Sequence, residues 1–312
     1  MPSPLRAFVA LVWFAVRRQA RVRALGGVAA GLLGLMAVTV GLNTRSPGWQ
    51  LLDQTSRSMR MPVRDIPDWF TQVQGQIAGP AHLAAELSLV GGFRAALLDD
   101  KFRADWAVLS FTRAVEIGLY LGFLLPLFTL AYGTAAVGGE REGRTLLWLL
   151  TRPLPRWAVY LGELLGALPW GLLAGVGGLA VLCLAGGDVG REVLAVGWPA
   201  AAAGSVAFTS LFVLVGAAFR RPAVVGLVYV FFFETLVASL PGSLKQLSLN
   251  YYVRSLLYNA TRDRLTAVAP AGLDVYSPAD PATAWTTLAL AAVGFSLLGM
   301  WLFGRQEPQD ET

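Results

Sequence analysis

Charge is what this sequence has least of. Only 14% of its 312 residues are charged against 55% hydrophobic, and the mean hydropathy is +0.55. Soluble domains carry about 25% charged residues, so a chain this poor in charge cannot coat a soluble surface of its size. The shortage is concentrated in long apolar runs, the pattern of a bilayer protein. A soluble enzyme, a disordered chain and a secreted disulfide scaffold all fit this composition badly. One cysteine, Cys183, sits inside an apolar run, which removes any internal disulfide or thiolate zinc cluster. His82 is the only histidine, so a histidine zinc site, a His-based triad and a haem with two histidine ligands are also gone. Lysine is nearly absent too. Neither Lys101 nor Lys245 follows a glycine, so no G-x-x-x-x-G-K-[S/T] phosphate loop exists. Any ATP that drives this chain must be bound by another subunit, and no metal site is expected.

The net charge of +5 and the isoelectric point near 9.6 raise the question of nucleic acid. The basic residues are dispersed, however, and their clusters flank apolar runs, where membrane orientation explains them. No nucleic-acid partner is expected.

What is present is a series of spans. At roughly 20 apolar residues per crossing, six are expected, at 24–42, 112–137, 157–185, 193–219, 222–240 and 284–303. The third and fourth exceed a straight crossing, which calls for tilt or an interfacial extension. Arg17, Arg18, Arg21 and Arg23 precede the first span. Arg141, Arg144, Arg152 and Arg156 fill the short segment between spans two and three, and Arg220-Arg221 the turn between spans four and five. Arginines in short loops face the cytoplasm. With six spans, both termini then lie on the cytoplasmic side of a plasma (cytoplasmic) membrane. The 19-residue run from Ala24 is long for a signal peptide and no A-x-A site follows, so it reads as an uncleaved anchor. Before it, Leu5, Phe8, Val9, Val12, Trp13 and Val16 recur at helical spacing between Arg6 and Arg17, which fits an in-plane interfacial helix or, more plainly, a frayed tail.

Two outer segments follow, 43–111 and 241–283. The first opens irregularly around Pro47, Pro62, Pro67 and Pro80 and then predicts a helix over 81–98 bent at Gly91-Gly92. The second predicts an amphipathic helix through Leu244, Leu247, Tyr251, Leu256 and Leu257. Glycines four apart within spans (Gly27/Gly31, Gly118/Gly122, Gly162/Gly166, Gly171/Gly175) allow close helix contact. The expected class is an all-α polytopic membrane protein, with 1–312 a single transmembrane domain and the bilayer its first partner.

The most informative stretch, 138–156, runs GGEREGRTLLWLLTRPLPR. It reads as a short helix with a charged start and an apolar end. Glu140 and Glu142 would sit at the positive end of its dipole, and Pro153 and Pro155 would turn the chain into span three. Such a helix lies at the interface and offers its charged groups to a cytosolic partner; the plainer reading is that it only turns the chain.

The run from Gly139 to Gly166 resembles the signature of ABC-2 type transporter permeases. The matching positions are Glu140, Glu142, Thr145, Leu146, Leu149, Leu150, Arg152, Pro153, Arg156, Leu161 and Gly162. The resemblance covers about 30 residues, supported by the wider arrangement of spans. Arg144 stands as a one-residue insertion between the family's Gly and Thr, and Glu163 replaces a common lysine. The resemblance implies a coupling helix seated in a separate ATP-binding subunit, two permeases with two ATPases, and substrate moved outward. ATP and magnesium would be bound by the partner, with no cofactor on this chain. The implied ATPase contacts are Glu140, Arg141, Glu142, Gly143, Thr145, Arg152, Pro153 and Arg156, with Leu146, Trp148 and Leu149 as the apolar side.

Intramembrane acids are a second signal. Glu234, about 9 Å from the outer end of span five at 1.5 Å per residue, either pairs with Arg113, stays protonated, or lines a translocation path. Glu116 and Arg113 enter span two on the same side, and Glu163 is expected to pair with Arg156 or Arg152. The leading reading is a homodimeric ABC-2 exporter subunit. Its rivals are a membrane anchor or assembly factor without transport, and an intramembrane enzyme acting on lipid.

Overall fold

The computed structural model describes residues 4–20, 23–45, 108, 111–142, 155–236, 243–268 and 278–305. Among these residues there is no strand, and the regular structure is all helical. In chain order the α-helices are α1 (Pro4–Ala20), α2 (Arg23–Arg45), α3 (Leu125–Glu142), α4 (Arg156–Leu172), α5 (Gly178–Ala185), α6 (Gly187–Ala218), α7 (Pro222–Tyr229), α8 (Leu249–Val268) and α9 (Pro281–Arg305). Three π-helical stretches join them: π1 (Thr112–Leu124) leads into α3, π2 (Leu173–Gly177) links α4 to α5, and π3 (Val230–Leu236) continues α7. A 3-10 turn covers Ser243–Leu247.

The helix starts follow from proline chemistry. Pro222 occupies the first turn of α7 and Pro281 opens α9, positions where a missing N–H costs nothing and the fixed φ is already helical. Pro155 stands in extended conformation just before α4, with the φ of −64° that its ring fixes.

Among the described residues, four helices are long and apolar enough to cross a membrane: Val115–Gly138, Arg156–Ala185, Gly187–Ala218 and Pro281–Arg305. They correspond to expected spans two, three, four and six. The other two expected spans are shorter apolar helices, Gly27–Leu42 and Pro222–Glu234. The fifth is described as far as Leu236, and residues 237–240 of that expectation lie outside the described residues. The fourth begins at Gly187, earlier than expected, because the chain reverses in one tight turn at Gly186-Gly187, where Gly187 has a φ of 71° that other residues rarely adopt.

Helix α6 is the axis of the fold. Its stretch Ala207–Ala217 is buried without a break, and it packs on α3, α4, α5, α8 and α9. At the rim, α9 turns Trp285, Leu290, Val293, Leu297 and Trp301 outward, the face a bilayer would cover.

Glycines set the close approaches. A Cβ on Gly162 or Gly166 would strike Leu11 or Ala15 of α1, and one on Gly171 or Gly175 would strike Thr209 or Ser205 of α6. The i,i+4 spacing thus works as expected at these two pairs. It does not at Gly27/Gly31, where nothing lies within 4 Å.

The second amphipathic helix differs from its expectation. Leu244 and Leu247 are exposed in the 3-10 turn, while Tyr251, Leu256 and Leu257 are buried on α8. Helix α8 packs on α6 and α9. It is set among the spans, with Val253 against Gly204 of α6. The helix expected over 81–98 lies outside the described residues.

Candidate functional site

The arginine-rich end of the bundle is built by three chain segments. Helix α3 ends at Glu142, α4 begins at Arg156, and the turn Phe219–Arg221 leads into Pro222. The turn and the end of α3 touch: a Cβ on Gly138 would lie 2.8 Å from the Pro222 ring. Helix α1 joins the same end through Arg17 and Arg18. Arg17 lies over the Trp13 ring at 5.3 Å and Arg305 over the Trp301 ring at 4.2 Å. Exposed Trp13, Trp157 and Trp301 form an aromatic fringe there, as expected at a membrane boundary.

The backbone corrects one expectation. Glu140, Arg141 and Glu142 form the last turn of α3 and do not open a separate helix. Glycine disfavours helix interiors by about 1 kcal/mol, which is why Gly138-Gly139 reads as a break. The contact with Pro222 needs the missing Cβ and holds the helix through that point. Gly143, Thr145, Leu146, Trp148, Leu149, Arg152 and Pro153 lie outside the described residues. Arg156 is the first residue of α4 and half-buried.

Glu163 does not have the expected partner. Its Oε2 accepts a hydrogen bond from Arg18 Nη2 at 2.6 Å, and the same nitrogen reaches the Ala136 carbonyl at 2.8 Å. Arg18 is 145 residues away in sequence, and its guanidinium closes over the Gly162/Gly166 seat of α1. Trp170 Nε1 adds a hydrogen bond to the Val16 carbonyl at 3.0 Å. One arginine therefore ties α1, α3 and α4 together. Breaking a buried pair of this kind costs about 3–5 kcal/mol because the remaining charge is stranded.

Glu116 lies in π1, fully buried, against Gly197 of α6. A Cβ on Gly197 would overlap Glu116 Oε1. Neither carboxyl oxygen has a hydrogen-bond partner among the described residues, and the Thr112 hydroxyl, one turn earlier, is equally without one. One turn further on, the Tyr120 hydroxyl meets the carbonyls of Ala174 at 2.7 Å and Gly175 at 2.5 Å in π2. The Ala174 carbonyl also accepts from the Gly178 amide, so the Tyr120 hydroxyl adds a second hydrogen bond to it.

Glu234 is also fully buried, and its carboxylate is saturated. Oε1 accepts from the Tyr229 hydroxyl at 2.6 Å and from the Leu249 amide at 3.3 Å. Oε2 accepts from the Ser248 hydroxyl at 2.7 Å and the Asn250 amide at 2.9 Å. Ser248 Oγ in turn accepts from the Tyr251 amide at 3.3 Å. Three free amides of the first turn of α8 thus find acceptors, two of them on a residue in another helix. The negative group sits at the positive end of the α8 dipole. The side chain of Arg113 lies outside the described part of the chain. Arg254 of α8 approaches π1 instead, its Nη2 lying 2.9 Å from where a Cβ on Gly122 would stand.

Sequence reasoning missed Tyr229, Ser248 and Arg18. Ser248 carried a readable signal, a serine just before a helical run. The other two carried none, because their partners come from distant elements.

Among the described residues no group of His, Cys, Asp and Glu could hold a metal ion. The sequence model of the ABC-2 family transporter proteins matches residues 49–307. The chain belongs to that family. It is therefore an ABC-2 membrane permease component, a multi-pass membrane protein, and the buried carboxylates are features of an ABC-2 transmembrane bundle. No match is found among curated proteins.

Proposed function

We propose that this protein is the membrane-spanning subunit of an ATP-driven ABC-2 exporter, acting as a homodimer with two copies of a separate ATP-binding subunit. The observation that carries the reading is the family match taken with the run 138–156, which leads from the last turns of α3 to the start of α4 at the arginine-rich end. In this reading that run is the coupling segment. Glu140, Arg141, Glu142, Gly143, Thr145, Arg152, Pro153 and Arg156 meet the ATPase, and Leu146, Trp148 and Leu149 supply the apolar contact. Closure of the ATPase pair on ATP pulls on these segments and switches the permease dimer, and substrate leaves outward. Both termini and the arginine-rich end face the cytoplasm, by the bias of arginine to that side of the plasma membrane.

The continuity of α3 through Glu142 supports a mechanical coupling. A helix that runs unbroken from the bundle into the docking segment transmits displacement without a hinge at Gly138-Gly139. The test is purification of tagged protein in mild detergent from membranes containing the candidate ATPases. An ABC-type ATP-binding subunit retained at one-to-one ratio is the expected result. Glu142→Arg reduces that retention while helix content by circular dichroism stays unchanged. Full retention by this variant removes Glu142 from the interface, and repeated absence of any ATPase from the wild type overturns the exporter reading.

A further inference from the structure

At the end of the bundle opposite the Arg18–Glu163 pair, α5 and α6 meet at the Gly186-Gly187 turn. Along the lateral face of this hairpin runs an open groove of about 380 Å³, lined by Val176, Ala180, Arg191, Leu194, Ala195 and Trp198. The α6 residues fall at i, i+3, i+4 and i+7, a single helical face. Asp188 extends that face by one more turn towards the helix start. Read from the start of α6 inward, the face runs from acid to base, then to aliphatic and aromatic side chains. From Asp188 to Trp198 it covers about 15 Å at 1.5 Å per residue. Small Ala180 and Ala195 open the groove floor, while Trp198, half-exposed, walls its inner end.

This polarity gradient is that of one amphiphile lying along the helix. At its mouth Arg191 Nη1 donates to Asp188 Oδ1 at 3.1 Å, with side chains 70% and 97% exposed. So exposed an ion pair contributes little, and both groups keep bonding capacity for a ligand. A cation and an anion side by side at the mouth complement a headgroup that itself carries both signs. A purely anionic headgroup would meet Arg191 and be repelled by Asp188.

We propose that this groove is a binding site for a phospholipid with a phosphoethanolamine headgroup. The phosphate rests on Arg191, the primary ammonium on Asp188, and one acyl chain lies along Leu194, Ala195 and Trp198 against Val176 and Ala180. The site rests on the membrane assignment alone and stands whether or not the chain exports anything.

The test is native mass spectrometry of the purified full chain, delipidated in detergent and titrated with dioleoyl phosphatidylethanolamine or dioleoyl phosphatidylglycerol. The wild type is expected to hold the ethanolamine lipid about tenfold more tightly, the scale of one added charge-assisted hydrogen bond and one avoided repulsion. Arg191→Ala lowers that affinity by about tenfold, with Arg191→Gln as a second, less disruptive variant. Asp188→Asn brings the two lipids level, and Ala195→Trp, at an exposed position, fills the groove and weakens both. Arg305→Ala, at the other end of the bundle, changes neither. Equal affinity of the wild type for the two lipids, or unchanged ethanolamine-lipid binding in both Arg191 variants and in Ala195→Trp, overturns the proposal. So does a second copy of the chain, or a segment of this one, cross-linking to Trp198 in place of lipid.

Discussion

Glu234 receives the hydroxyl of Ser248 at 2.7 Å, so that a carboxylate in π3 completes the cap of α8. Tyr229 from α7 holds the other oxygen. The arrangement joins three elements through one side chain that is itself fully buried.

Replacing Glu234 with alanine strands two hydroxyls and two helix-start amides away from water. At about 1–3 kcal/mol for each buried group left unpaired, partly relieved by relaxation, Glu234→Ala destabilises the fold by about 3 kcal/mol. Glu234→Gln keeps the volume and one acceptor oxygen and costs about half as much. Reversible unfolding in mixed micelles, followed by circular dichroism, checks both values. Equal stability of wild type and Glu234→Ala contradicts the capping role.

Arg18 and Glu163 are expected to behave as one unit. Arg18→Ala leaves Glu163 buried without its cation, and costs more than the double replacement Arg18→Ala/Glu163→Ala. A double-mutant cycle reads the coupling directly, and a value of about 2 kcal/mol is expected for a pair this sheltered. Additive effects would place the two side chains apart.

The seat of α1 is testable through the single cysteine. Cys183 is buried, so a cysteine introduced at Ala15, also buried, reports on α1 alone. Gly166→Val drives a side chain into Ala15 and lifts α1 from α4. Maleimide labelling of Ala15→Cys rises about tenfold in that background, as expected when local opening becomes easier by about 1.4 kcal/mol. Unchanged labelling argues against the packed α1.

Gly197 is required by the Glu116 carboxyl. Gly197→Ala forces the two apart and costs about 1–3 kcal/mol, the usual range for overpacking. Glu116→Ala in the same chain removes the obstruction and restores stability towards that of Glu116→Ala alone. Thermal unfolding of the four variants shows whether the penalty at Gly197 depends on Glu116.

Much of this architecture is legible from local pattern. Apolar runs place the long crossings, because hydrocarbon demands continuous apolar helix, and the glycine spacing at Gly162/Gly166 and Gly171/Gly175 marks two close contacts. Partners separated by long stretches of chain are not legible. Glu163 stands near Arg156 in sequence, yet the docking of α1 delivers Arg18 to it. Likewise Glu234 reads as an isolated acid in an apolar helix, since nothing local reveals that Ser248 and the start of α8 fold back onto it. The end of α3 fails for a different reason. Propensity breaks the helix at Gly138-Gly139, and tertiary contact with Pro222 overrides it.

The three-way tie at Arg18 has a mechanical consequence. A short helix outside the long crossings would ordinarily shift independently of the helices beside it. Here α1 is bolted to α4 by the glycine seat, by Arg18 and by the Trp170 hydrogen bond, and to α3 by the Ala136 carbonyl. Any rocking of those two crossing helices must carry α1 with them, so the three elements move as one lever.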